Sequence, residues 1–140
     1  MDEIKLIDTH AHLDSADFDA DRDEVIARAK EAGVGRIITV GCWKGSTGFD
    51  SLAGVLSYYD FIYAALGVHP HDAKDVVGDR PWELIRSMAL QKKSRVVAVG
   101  ETGLDYHMVK DAEGREAQRR AFRRFLALAR ELGKPLVVHL

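Results

Sequence analysis

Short aliphatic and β-branched runs recur along the chain at Ile4 to Ile7, Arg36 to Val40, Phe61 to Leu66, Arg95 to Val99 and Leu136 to Val138. Between them, apolar residues return at helical spacing. The runs are apolar along their whole length and do not alternate with polar residues, which predicts strands covered on both faces, as in a parallel sheet wrapped by helices. The first helix is predicted over Ala20 to Ala32, with Val25, Ile26, Ala29 and Ala32 on one face and Gly33 as its stop. A second, weaker helix covers Asp50 to Tyr59. The third begins near Pro81, because proline suits the first helical position, and carries Trp82, Leu84, Ile85, Met88 and Ala89. The fourth spans Gly114 to Leu132. It buries Ala121, Phe122, Phe125, Leu128, Ala129 and Leu132 and ends at Gly133, with Pro135 just beyond.

Five strands and four crossover helices in strict alternation define an α/β chain, either a doubly wound open sheet or a (β/α)8 barrel of the TIM type. The polar residues decide between them. Each unit keeps its reactive side chains for the C-terminal end of its strand: His10 and His12, Cys42, His69 and His71, Glu101, and His139. An open sheet gathers its site at one switch point, whereas a barrel collects residues from many strand ends around one mouth. The barrel is the better fit. Such barrels take about 250 residues, so residues 1–140 read as the N-terminal part of one barrel domain, its first five strands and four helices. A fifth strand with no neighbour and no covering helix predicts self-association through that strand.

Composition narrows the class. With 46% hydrophobic and 30% charged residues and a formal charge of −2, the chain is a folded domain and neither disordered nor fibrous. Met1-Asp2-Glu3 opens no cationic leader, and no apolar run approaches the roughly 20 residues that span a bilayer. No membrane association is expected, and the cytoplasm is the default compartment. A single cysteine, Cys42, excludes an intrachain disulfide and a cysteine-rich zinc site, and reads as a small buried residue at a strand end. The near-neutral charge gives no global attraction to nucleic acid, so such a substrate would be held by local groups and metal. Arg115, Arg119, Arg120, Arg123 and Arg124 interleave with Glu113 and Glu116 and read as the solvated outer face of the fourth helix, away from the strand ends.

His10 and His12 are the most informative pair. Positions i and i+2 of an extended backbone face the same way, so both imidazoles can reach one metal ion placed just beyond the strand end. Glu101 and His139 follow two further strand-like runs. Histidine with carboxylate suits zinc, manganese, iron or, with more oxygen ligands, magnesium. Asp8 and Asp14 are candidate partners for the ring N–H groups of these histidines, or turn residues. Gly100 and Gly103 are expected to let the backbone turn sharply around Glu101. Their spacing is wrong for a phosphate-cradling glycine loop, which excludes a nucleotide-binding reading.

Four segments together carry a resemblance: Ile-Asp-Thr-His-Ala-His-Leu-Asp at 7–14, Ala-Leu-Gly-Val-His-Pro-His at 65–71, Val-Gly-Glu-Thr-Gly-Leu-Asp-Tyr at 99–106 and Lys-Pro-Leu-Val-Val-His at 134–139. In this order and spacing the chain resembles the TatD family of metal-dependent deoxyribonucleases, amidohydrolase-like barrels that cleave phosphodiester bonds in DNA with two divalent metals. The resemblance implies that His10 and His12 bind the first metal, that Glu101 bridges both, and that His139 holds the second. The ions would be magnesium, manganese or zinc. It implies a DNA substrate without sequence specificity, with Glu101 and His69 as catalytic residues. His69 and His71 match substrate-side residues, although Pro70 between them also marks a turn. Asp105 and Tyr106 either orient ligands and contact substrate or close a capped loop. The family's last two ligands, a histidine and an aspartate from later strands, have no counterpart in the 140 residues. Two other readings stay open: a related enzyme acting on a small amide, lactone or phosphoester, and an inactive piece with an incomplete ligand set.

Overall fold

The computed structural model of the chain describes residues 6–91 and 95–140. Five strands form one sheet in sequence order: β1 (Leu6–Ala11), β2 (Val34–Cys42), β3 (Ile62–Gly67), β4 (Val96–Gly103) and β5 (Leu136–His139). Every neighbouring pair is parallel. The connections carry α1 (Arg22–Glu31), α2 (Asp50–Tyr58), α3 (Asp79–Leu90) and α4 (Ala112–Leu132). This is half of a (β/α)8 barrel, as expected. Ile4 of the predicted first run lies outside the described residues. No helix among the described residues is long and apolar enough to cross a membrane.

The sheet has two distinct faces. Outward, toward the helices, lies the main core, in which Leu52, Ile62, Leu66, Ile85, Val99 and Phe125 are almost wholly buried. Inward, Val40, Cys42, Ala65 and Ala98 pack as a smaller cluster of narrow side chains, as the crowded interior of a barrel demands. Burial on both faces holds for β2, β3 and β4 but not for the outer strands. Leu6 and Ile7 on β1 are 54% and 56% exposed, and Val138 on β5 is also exposed, because among the described residues each of these strands has a neighbour on one side only.

Helix boundaries follow local chemistry. Gly33, with φ 92°, turns the chain after α1, and Gly133, with φ 61°, closes α4 in the left-handed conformation, the usual task of glycine at a helix end. Pro81 is not the first residue of α3, which starts two residues earlier at Asp79; proline is still tolerated within a first turn, where its missing N–H has no helical partner. At the start of α4, Asp111 accepts the Gly114 N–H at 2.8 Å and Lys74 Nζ at 3.1 Å. Along α4, Ala117, Gln118, Ala121, Phe125, Leu128 and Ala129 form the buried stripe, and Phe122 is only half-buried. Trp82 of α3 meets Phe125 edge to face at 5.2 Å.

Two strands carry irregularities that matter for chemistry. On β1, Asp8 to Ala11 spans three steps against two on β2. On β4, Val99 to Thr102 spans three steps against two on β5. Each holds one residue more than its partner, the signature of a bulge, which re-aims side chains. His10 lies in the first interval and Glu101 in the second. Gly100 and Gly103 are therefore not turn residues: both belong to β4, where a Cβ would run into the β5 carbonyls of Val137 and His139 respectively. Glycine is required for close approach of the two strands.

Two outcomes follow. Phe125→Ala, at a site of zero exposure, lowers unfolding stability in urea titration by about 3–5 kcal/mol; a loss below about 1 kcal/mol would contradict the packing described. The Gly114 N–H, then Lys74, hold the Asp111 carboxyl below its ordinary value of 3.8. Its contribution is complete above that value and is lost as pH falls through the depressed one. The stability advantage of wild type over Asp111→Ala therefore shrinks between pH 5 and pH 2; a constant difference across that range would remove the cap from the account.

Candidate metal centre

The strand ends bring the predicted residues together around Glu101. This carboxylate, on the bulged segment of β4, has a side chain only 11% exposed, and its two oxygens look in different directions. Oε2 lies 3.5 Å from His10 Nε2 and 4.0 Å from His12 Nε2. Oε1 lies 3.1 Å from His139 Nδ1. Two groups of donors thus share one carboxylate: His10, His12 and Glu101 on one side, and His69, Glu101 and His139 on the other, each within 4.8 Å. His10 is within β1 rather than beyond it, and His12 follows its end.

Ring protons can be assigned from partners. His12 Nδ1 lies 3.0 Å from the Val40 carbonyl, and a carbonyl only accepts, so Nδ1 carries the proton and Nε2 turns a lone pair toward Glu101. Neither candidate aspartate serves this purpose. Asp8 accepts the backbone N–H of His10, and Asp14 accepts the Thr39 hydroxyl. Thr39 in turn accepts the Leu13 N–H, which pins the chain just after His12. Burial raises the Asp14 carboxyl above its ordinary value.

On the other side of the site, the backbone N–H of His71 donates to His69 Nδ1 at 3.3 Å. The neutral His69 ring then holds its proton on Nε2, which faces His139 Nδ1 at 3.2 Å. Burial, reinforced by His139 and His71, pushes the His69 pKa down. Asp105 faces inward: Oδ1 accepts the Met108 N–H at 2.9 Å, and Oδ2 meets His71 Nε2 at 2.6 Å and His139 Nε2 at 3.4 Å. The Met108 N–H first, and then His71, hold its carboxyl well below the usual carboxylate range. A cleft of about 400 Å³ opens beside the centre, lined by His12, Asp14, Lys44, His69, His71 and Asp72 among others.

Tyr106 corrects the reading of the arginines. Its exposed ring lies under the Arg115 guanidinium at 4.8 Å, and its hydroxyl accepts from Arg119 at 2.9 Å. The first turns of α4 begin at the strand-end side of the sheet, so these two arginines flank the loop next to Asp105 and do not face away from it. Arg120 and Arg123 are exposed, whereas Arg124 reaches Asp79 of α3. Sequence reasoning also passed over Gln118, a polar residue on the apolar stripe of α4, whose side-chain carbonyl accepts the Asp105 N–H. Its place among core positions is the signal that marks it.

A half-barrel that gathers histidines and a carboxylate at its strand ends has the donor set of a metal-holding α/β barrel. The sequence matches the family model described as TatD related DNase over residues 7–140, and the chain belongs to that family. It is 42% identical over 135 residues, 96% of its own length, to an uncharacterised metal-dependent hydrolase, YabD, of Bacillus subtilis, covering 50% of that protein. It is 37% identical over 96% of its length to a 3'-5' ssDNA/RNA exonuclease TatD of Pectobacterium parmentieri, covering 49% of it. The crystal structure of the TatD homologue YJJV from Escherichia coli superposes with a TM-score of 0.81 at 32% identity, over 97% of this chain and 51% of that one. The chain spans about half the length of these relatives.

Cys42 lies buried at the end of β2, as expected, and burial first, then Glu101, pushes its thiol from 9.0 up to about 12. Three pH units correspond to about a thousandfold less thiolate. Reaction with a thiol-specific disulfide reagent at pH 8 is therefore expected to be slower by at least about 100-fold in the native protein than in denaturant; equal rates would contradict the placement.

Proposed function

We propose that the chain supplies the metal-binding half of a two-metal phosphodiesterase that acts on DNA. The observation that carries this reading is the division of Glu101, with Oε2 toward His10 and His12 and Oε1 toward His139. In this reading His10, His12 and Glu101 would hold one divalent ion, and Glu101 with His139 would hold a second. Magnesium, manganese or zinc ions so placed supply an activated water near neutral pH and positive charge against the phosphate. The donors fit: the Nε2 lone pair of His12 is free, its proton being committed to Val40.

The remaining side chains prepare the substrate's side. In this reading a phosphate oxygen entering the cleft takes the His69 Nε2–H that otherwise faces His139 Nδ1, so His69, although it stands within the second donor group, serves the substrate and not the ion. His71 lies at the mouth of the cleft and is steadied by Asp105. The Tyr106 ring, flanked by Arg115, offers a stacking face for a base, which is sequence-tolerant because every base has a π-face. The relative from Pectobacterium parmentieri that is named a single-stranded DNA and RNA exonuclease supports a nucleic-acid substrate.

Manganese titration by calorimetry, with cleavage of a single-stranded oligonucleotide and a small nitrophenyl phosphodiester followed in parallel, checks the assignment. His10→Ala is expected to lose one ion and His139→Ala the other. Glu101→Gln loses both, and oligonucleotide cleavage falls by more than about 100-fold. Full metal binding and cleavage in Glu101→Gln would overturn the reading, and cleavage confined to the small ester would move the substrate away from DNA.

A further inference from the structure

Gln118 is fully buried in the middle of the apolar stripe of α4, where a leucine would pack as well and leave no polar atoms to satisfy. Its amide is nevertheless satisfied on both ends. Oε1 accepts the Asp105 N–H at 2.9 Å, and Nε2 donates to the Pro70 carbonyl at 3.1 Å and to the Asp105 carbonyl at 3.4 Å. The amide has one productive orientation, since an N–H must face its oxygen and carbonyls its nitrogen. One side chain therefore grips three backbone groups on two separate loops: the turn that carries His69 and His71, and the loop after β4 that carries Asp105.

We propose that Gln118 is a positioning residue: by holding the backbone of Asp105 on both sides of its Cα and tying it to the Pro70 turn, it sets where the His71 and His139 rings stand. The Asp105 carboxylate is the intermediary. Its Oδ2 takes the Nε2 proton of His71 at 2.6 Å and lies 3.4 Å from His139 Nε2. The other nitrogen of that ring, Nδ1, stands 3.1 Å from Glu101 Oε1, so the His139 ring is held between two carboxylates and its rotation is set by where both stand. Carboxylates that receive the outer N–H of a histidine fix its tautomer and rotation. This one can do so only while its own backbone is immobile. The next three residues, Tyr106, His107 and Met108, are exposed, so the grip comes from beneath, from α4, assisted by the Val109 N–H on the same Asp105 carbonyl at 3.0 Å. The metal consequence rests on the reading of His139 given above; the ring geometry does not.

Nitrogen-15 spectra of the histidine rings in the metal-free protein read the tautomers directly, alongside manganese titration. In wild type, His71 is expected as a single Nε2–H tautomer, and the Asp105 amide exchanges with solvent at least about 100-fold more slowly than the exposed Tyr106 amide. Gln118→Leu shifts the His71 ring toward a mixture of tautomers, as Asp105→Asn does, and the double variant adds nothing further, the mark of a shared route. Gln118→Glu, which keeps the acceptor for the Asp105 N–H, has an intermediate effect. Manganese affinity falls by about 10-fold or more at one of two sites in Gln118→Leu. Unchanged ring tautomers in Gln118→Leu, or fast exchange of the Asp105 amide in wild type, which needs no variant, would overturn the inference even where Glu101→Gln abolishes metal binding. Altered tautomers in a protein that binds no metal would uphold it and defeat the two-metal reading instead.

Discussion

The arrangement depends on one carboxylate held in place by backbone. Glu101 is nearly buried, and the nitrogens of His10, His12 and His139 stand around its two oxygens at 3.1 to 4.0 Å. A nearly buried carboxylate ringed by imidazole nitrogens is a good arrangement for cations, because charged groups out of water need compensation. The bulge on β4 aims Glu101. The bulge in turn requires that β5 come close enough to bring His139 within reach. That approach is possible because Gly100 and Gly103 present no Cβ to the carbonyls of Val137 and His139. Packing of two strands and the geometry of the candidate metal centre are thus one constraint.

A second layer of order runs from the helices to the strand ends. The α4 stripe that buries Phe125 and Leu128 in the outer core also carries Gln118 to the loops above. Core packing on one side of the sheet and ring orientation on the other are set by the same helix. On the opposite side of the centre, Thr39 and the Val40 carbonyl of β2 do comparable work for His12, through the Leu13 N–H and the ring Nδ1. Each candidate ligand beside the cleft is therefore tied to a neighbouring strand or helix as well as to its own.

Much of this was legible in the chain. The strand and helix rhythm follows from aliphatic runs and helical spacing, which are local, and the stops at Gly33 and Gly133 are local too. His10, His12, Glu101 and His139 stood out because each closes an apolar run, and the structure brings all four together. What could not be read depends on register between distant segments. The bulges at His10 and Glu101 exist only relative to β2 and β5. The exposure of Leu6 and Ile7 reflects a missing neighbour and not their own character. Asp105 was left between two readings because its partners, His71 and His139, lie 34 residues away on either side. The arginines were misplaced because helical spacing fixes a face but not which end of the helix meets the mouth.

Anomalous diffraction at the manganese edge, from crystals grown with manganese, tests the central claim most directly. Two peaks are expected, one between Glu101 Oε2 and the His10 and His12 rings, the other between Glu101 Oε1 and His139, with no peak between His71 and Asp105. A single peak, or manganese held by His71 and Asp105 with Glu101 uninvolved, would contradict the account of a carboxylate shared between two ions.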